Sequence, residues 1–476
     1  MKNLHMKSNS LSLKFLLIIP ALLFINFLTA QNSAMHQTTM GQNSRPLPFW
    51  ARNAVIYEVN LRQYTPEGTI KAFATHLPRL KEMGIDIIWL MPIFPIGFEK
   101  RKGTMGSYYA ASDYKAINPE FGTMEDFDSL VSQIHNLGMK VILDWTANHT
   151  AYDHIWVASH PDYYYLNDDG KPRIPLDDHG NQTDWTDVAD LNYNNPELRS
   201  AMSDAMMFWI DYHRIDGFRC DMAFYVPLDF WQNVKKELDK KGDYFMLAES
   251  ERPDFFDNSF QVQYGWTYHH LMKDIAQGRK QASALNDLVM SDAQNYPPGA
   301  IKMQFIDNHD ENSWNKTMLE RFGPGFKVFA LLNFTMPGIP LMYSGQEADL
   351  NKSLRFFEKD TIDFGQLKSA TFYRKLIQLH HDHSALWSGV YGGNYHYLTN
   401  NQNEKVYSFS REDNQERIVI IANLSAQAVT MKFTDPDLLR PIKFLDFNSN
   451  KKVVVSNSTS INLAPWESKI LIEKRK

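Results

Sequence analysis

Gly217-Phe218-Arg219-Cys220-Asp221, the helical stretch from Leu228 to Lys240, and Phe245-Met246-Leu247-Ala248-Glu249 make one strand–helix–strand unit. Both strands are apolar or β-prone and end in a carboxylate. A buried strand has this look where its last residues emerge at a functional rim. The same unit recurs on either side. Val55 to Asn60 and Asp86 to Met91 read as strands around a helix from Ile70 to Met83 that stops at Gly84. A helix from Met124 to Leu137 precedes the strand Met139 to Leu143, which enters Asp144-Trp145-Thr146-Ala147-Asn148-His149. The helix from Pro196 to Tyr212 starts on proline, which suits a first helical turn. Lys302 to Ile306 leads into Asp307-Asn308-His309-Asp310, and the helical stretch Phe326 to Asn333 separates it from the strand Pro340 to Tyr343. Seven strands are readable, and the stretch from Asn258 to Gly265 is assigned the eighth.

Near-continuous apolar strands alternating with helices specify a parallel sheet with helices outside. Eight such units in about 330 residues predict a (β/α)₈ barrel over residues 51–385. An open doubly wound sheet is the alternative, but no Gly-rich phosphate-binding turn follows the first strand. Two segments break the rhythm. Residues 151–190 are loop-like, aromatic and acidic, with Tyr163-Tyr164-Tyr165, Asp168-Asp169 and Asp177-Asp178, and read as an excursion after the third strand. From residue 386 to 476 short alternating runs such as Arg417-Ile-Val-Ile-Ile-Ala422 predict an all-β domain, a sandwich.

The N-terminus reads as an export signal over residues 1–30. Lys2, Lys7 and Lys14 precede the apolar run Phe15 to Leu28, and Leu28-Thr29-Ala30 offers a small-residue cleavage site. The run is shorter than the roughly 20 apolar residues a spanning helix needs, so stable membrane insertion is not expected. Residues 31–50 read as a flexible leader. Loss of the signal removes three lysines and no acid, which takes the formal charge from −6 to −9. That balance argues against nucleic acid or an anionic membrane as partner. The single cysteine, Cys220, excludes an internal disulfide and reads as a small buried strand residue. Aromatic residues reach 13%, which suits either a large aromatic core or a surface that stacks on sugar rings.

Barrel enzymes place catalytic groups at the C-terminal ends of strands, and Asp144, Asp221, Glu249 and Asp310 fall there in this reading. Arg219, two residues before Asp221, shares its face of the strand, where a fixed cation favours an ionised carboxylate. Glu249 follows an apolar strand, a setting that suits a general acid. His149 and His309 are placed to donate hydrogen bonds to hydroxyl groups. A lone acid at a strand end is most often a cap or a surface charge. Four such sites with Arg and His beside them predict carboxylate-based hydrolysis.

Asp144-Trp-Thr-Ala-Asn-His149, Gly217-Phe-Arg-Cys-Asp221, Glu249 after Phe-Met-Leu-Ala, and Asn308-His309-Asp310 resemble the four signature regions of the α-amylase family of retaining glycoside hydrolases, in the family's order. Ala189-Asp190-Leu191-Asn192 resembles a fifth short region, and Gly338-Ile-Pro-Leu-Met-Tyr343-Ser-Gly-Gln-Glu347 the eighth strand. The resemblance covers roughly residues 50–385. It implies Asp221 as nucleophile, Glu249 as acid/base, and Asp310 as a grip on sugar hydroxyls. It implies substrate contacts for Tyr109, Asp144, His149, Arg219, Asn308 and His309. The substrate implied is an α-glucan or maltooligosaccharide, and the chemistry needs no cofactor. In calcium-dependent relatives, positions like Asn148 and Asp190 hold a structural Ca²⁺; the competing reading is that the two residues tie loops by hydrogen bonds. Phe224 stands where many relatives have an acceptor-binding lysine, which leaves exo-acting, cyclodextrin- or pullulan-cleaving and glucan-transferring specificities open. A non-catalytic α-glucan-binding protein is a further alternative, which loss of a catalytic carboxylate would favour, and none is lost.

Overall fold

Eight parallel strands close into a barrel in the computed structural model, which describes residues 46–177 and 179–475. The expected export signal, most of the expected leader and Asp178 lie outside the described residues. In chain order the strands are β1 (Ile56–Val59), β2 (Ile87–Leu90), β3 (Lys140–Thr146), the hairpin β4 (His149–Ala151) and β5 (Val188–Asp190), then β6 (Gly217–Asp221), β7 (Phe245–Ala248), β8 (Val262–Tyr264), β9 (Ile301–Gln304) and β10 (Ile339–Tyr343). Around the barrel the order is β1-β2-β3-β6-β7-β8-β9-β10, closing on β1, so only the hairpin stands outside the circuit. The eighth strand lies within the stretch assigned to it.

The strands are buried on both faces, which explains their lack of a polar side. Their period of two divides the apolar residues between two cores. Ile56, Trp89, Phe245, Leu247 and Leu341 fill the barrel with Leu47 and Ala51. Tyr57, Ile88, Leu90, Met246 and Ala248 pack in the larger cluster shared with the surrounding helices. Gly217 lets β6 approach β7, because a Cβ there would sit 2.0 Å from the Phe245 carbonyl oxygen.

The expected helix Ile70–Met83 is two helices, Ile70–Ala74 and Leu77–Met83. Thr69 caps the first by accepting from the Ala72 N–H, and Pro78 falls in the first turn of the second. Proline has no N–H to continue the earlier ladder but fits a new start. The excursion after β3 is more ordered than a loop: β4 and β5 pair antiparallel with His149 opposite Asp190, and a helix spans Ile155–Ser159.

Beyond the barrel come β11 (Asn394–Tyr397), β12 (Val406–Glu412), β13 (Glu416–Asn423), β14 (Val429–Met431), β15 (Ile442–Asp446), β16 (Lys451–Val455), β17 (Ile461–Leu463) and β18 (Ser468–Lys474). Six form a sheet ordered β11-β12-β13-β18-β15-β16, and β14 pairs with β17. Val419, Ile421 and Leu471 of the large sheet share a core with Met431 and Leu463 of the small one. The opposite face of the large sheet, including Ile418, Ile420 and Ile470, joins the cluster around the barrel helices. No helix among the described residues is long and apolar enough to cross a membrane.

Candidate active site

Asp221 is the last residue of β6, and Glu249 directly follows β7. Asp310 lies in the first turn of a short helix, His309–Trp314, after β9 rather than at a strand end. All three line a cavity of about 430 Å³ at the C-terminal mouth of the barrel, with Tyr109, His149 and His309. Three expected contacts stand behind its wall: Arg219, which is fully buried beneath the acids, Asn308 and Asp144. Asn308 is the cap of that helix, its Oδ1 accepting from the Glu311 N–H at 2.8 Å. Asp144 is fully buried, and its oxygens accept from Arg219, from Trp89 Nε1 at 3.2 Å and from the Tyr109 hydroxyl at 3.1 Å.

Arg219 organises the acids. Its Nη1 donates to Asp144 Oδ1 and to Asp221 Oδ1, both at 2.8 Å, and its Nη2 donates to Glu249 Oε2 at 2.8 Å. Nε donates to the Tyr264 hydroxyl at 3.0 Å. The strand position that put Arg219 beside Asp221 thus also brings it to acids on both neighbouring strands. Glu249 accepts a second bond at 2.9 Å from the backbone N–H of Met222. Met222 follows Asp221 with φ 43°, a left-handed conformation rare outside glycine that turns the amide toward Glu249.

Five carboxyl side chains, Glu58, Asp144, Asp221, Glu249 and Asp310, share this region with two bases, Arg219 and His309. Burial pushes Asp221 well above the usual carboxylate range; Arg219 opposes that, while Glu249 and Asp144 add to it. Burial likewise raises Asp144 and Asp310. Such a site is short of positive charge, so a cation forming on a bound molecule is strongly favoured there.

Sequence reasoning passed over Glu58, an acid inside the apolar run Ile56-Tyr57-Glu58-Val59, although a carboxylate within a buried strand is itself a signal. Its Oε1 lies 2.5 Å from His309 Nδ1. The other ring nitrogen of His309 meets the Tyr109 hydroxyl at 2.8 Å and lies 3.4 Å from Asp310 Oδ2. Burial lowers the His309 pKa, but Asp310 and Glu58 outweigh it and bring it up to about 9. Burial takes His149 down to about 3, which favours its neutral form. Of the neighbouring tyrosines, Tyr109 faces the cavity, while Tyr108 packs its ring under the Arg62 guanidinium at 4.1 Å.

Asn148 and Asp190 lie apart from this cavity, on the wall of a second one of about 220 Å³. Asp190 is already paired: Arg173 donates to its Oδ2 from Nε at 2.8 Å and from Nη2 at 2.7 Å. The Asn148 amide nitrogen lies 3.2 Å from His149 Nδ1. A guanidinium therefore occupies the carboxylate that a cation needs, and among the described residues no three acidic, His or Cys side chains converge as ligands. This donor set does not fit Ca²⁺, which takes six or more oxygens. The Arg173–Asp190 pair braces the excursion internally, and the Leu191 N–H donates to the Asn148 carbonyl at 3.3 Å where the excursion rejoins the barrel.

A family model for the alpha-amylase catalytic domain matches residues 31–428, and one for the maltogenic amylase C-terminal domain matches residues 397–470. The crystal structure of a maltogenic alpha-amylase from Thermotoga neapolitana is 29% identical, covers 90% of this chain and all of that one, and superposes with a TM-score of 0.80. An alpha-amylase structure from Lactobacillus plantarum is 28% identical over 89% of this chain and 99% of that one, with a TM-score of 0.78. An alpha-amylase from Haloarcula japonica is 25% identical over 81% of this chain, and the chain spans only 57% of that relative's length. The chain belongs to the alpha-amylase family.

Proposed function

We propose that this member of the alpha-amylase family is a retaining glycosidase that cleaves α-1,4-glucosidic bonds of starch-like α-glucans or maltooligosaccharides. The observation that carries the reading is the one guanidinium, Arg219, holding Asp221 and Glu249 from adjacent strands at the floor of one cavity. In this reading Glu249 gives its proton to the glycosidic oxygen while Asp221 attacks the anomeric carbon. The C–O bond to the leaving sugar breaks as the bond to Asp221 forms. Glu249 then takes a proton from water, whose oxygen displaces Asp221 and restores the α-anomer. Burial disfavours the charged form of Asp221, and Arg219 is its counterweight. Asp310 and protonated His309 hold sugar hydroxyls, neutral His149 contributes a further hydrogen bond, and Tyr109 stacks on the ring. The surplus of carboxylates stabilises the oxocarbenium-like transition state.

A retaining pair requires the Asp221 and Glu249 carboxyls about 5–5.5 Å apart when substrate is bound. Proton NMR of the first product tests the stereochemistry: an α-anomer is expected, and a β-anomer overturns the assignment. Following chain lengths during soluble-starch digestion tests the substrate class and separates endo from exo action.

One observation favours a glucan-transferring variant of the same chemistry. The segment after Asp221 offers aromatic rings in place of a lysine, with Phe224 4.4 Å from Tyr225 and Tyr225 6.2 Å from Trp185 on the cavity wall. Trp185, which these rings back, lines the cavity and offers an acceptor sugar an aromatic face. Products longer than a maltotriose substrate identify transfer. The basic N-region and apolar run from Phe15 to Leu28 support export to the periplasm or beyond; a shortened N-terminus on the secreted protein, read by mass spectrometry, is the corresponding result.

A further inference from the structure

We infer that Trp314 is a stacking platform for a glucosyl ring next to the one being cleaved. Trp314 ends the helix His309–Trp314, four residues after Asp310, so both side chains project from one helical face. Both line the cavity that holds Asp221 and Glu249. The indole is 56% exposed, a large apolar surface left open at the edge of a reactive site. It also belongs to an unbroken aromatic run. His309 stacks on Tyr109 with ring centres 5.6 Å apart, Tyr109 stacks on Phe356 at 6.2 Å, and Phe356 meets Trp314 at 5.3 Å. The run therefore leads directly away from the side chains that hold the cleaved sugar.

The rest of the wall selects the chemical class of the occupant. Lys102 donates to the Asp184 carbonyl at 2.6 Å, lies 3.4 Å from the Asp187 carboxylate, and lines the same cavity. A purely apolar guest would strip water from these groups without replacing its hydrogen bonds. A pyranose meets both demands, because its C–H face covers an indole while its rim of hydroxyls reaches charged partners. The occupant is thus a second sugar of the same chain. This inference rests on the glycosidase reading above and adds where chain length is sensed.

The test compares Trp314→Ala and Trp314→Phe with the wild type on two substrates. Maltohexaose spans several sugar positions, whereas α-glucosyl fluoride has one sugar and a leaving atom. We expect Trp314→Ala to lower kcat/KM for maltohexaose about ten-fold or more, mainly through KM, and to leave α-glucosyl fluoride within about two-fold. Trp314→Phe should restore most of the loss. The platform is overturned if Trp314→Ala leaves maltohexaose within about two-fold, or if both substrates fall together. A wild type that turns over neither substrate overturns the glycosidase reading itself, and the platform with it.

Discussion

Glu58 Oε1 sits 2.5 Å from His309 Nδ1 and ties the first strand of the barrel to the helix that carries Asp310. The contact fixes which way the imidazole faces and leaves Nε2 for Tyr109 and the cavity. Burial works against a charged His309, but Asp310 and Glu58 prevail and bring its pKa from 6.5 to about 9. A histidine raised in the folded state contributes its stability in full below pH 6.5 and loses it as pH climbs through about 9. The alkaline limb of activity should therefore fall in that window. Glu58→Gln removes one of the two charges that hold the proton, so the limb should move to lower pH by about one unit or more. A kcat/KM profile from acid to alkaline pH checks this; an alkaline limb that stays in place counts against the role.

The proposed acid, Glu249, and the proposed nucleophile, Asp221, have separable signatures. Glu249→Gln keeps the Arg219 contact but has no proton to give, so kcat on maltooligosaccharides should drop about 10²–10⁴-fold. A substrate whose leaving group needs no protonation, such as α-glucosyl fluoride, should lose far less in its first step. Asp221→Asn should abolish turnover of both. Equal losses for Glu249→Gln on the two substrates would contradict the assignment.

Arg219 is fully buried and pairs with three carboxylates, two on neighbouring strands and Glu249 directly after a third. Its removal strands those acids without a counter-charge. Arg219→Leu should cost about 3–5 kcal/mol of stability, the usual result of breaking a buried ion pair from one side. Chemical denaturation measures this directly. Arg219→Lys should recover part of the stability and little of the activity, since one ammonium cannot serve three acids in fixed directions.

Arg173 in place of a calcium ion predicts a melting temperature that neither EDTA nor added calcium moves. Arg173→Ala should lower stability by about 1–3 kcal/mol by leaving the Asp190 carboxylate unpaired, and calcium should not restore it, because too few oxygens remain. Differential scanning calorimetry with and without each reagent decides the point. A large EDTA effect on the wild type would show that the site was misread.

Much of the barrel was legible because its strands are buried on both faces and so read as apolar runs ending in acids. Asp221 and Glu249 stood out for that reason, and Arg219 because two residues along a strand return to the same face. The break at residues 75–76 was not seen, since amphipathic spacing runs straight through it and only Pro78 marks the restart. Glu58 was missed because its importance lies in contact with His309, 251 positions away. Asn308 illustrates the converse error. It lies beside His309 and Asp310 in sequence, yet its Oδ1 caps their helix and its side chain is buried behind the cavity wall.

The sequence alone determined the strand–helix alternation, the parallel barrel and that Asp221 and Glu249 stand at strand ends, because alternation and burial leave a local record in every segment. Only the tertiary structure decided which acids share a cation, which histidine is charged, and that Asp190 meets Arg173 rather than a metal. Those outcomes depend on distances of a few ångströms between residues far apart in the chain, where charge–charge energies in a buried site change steeply. No local pattern records such distances.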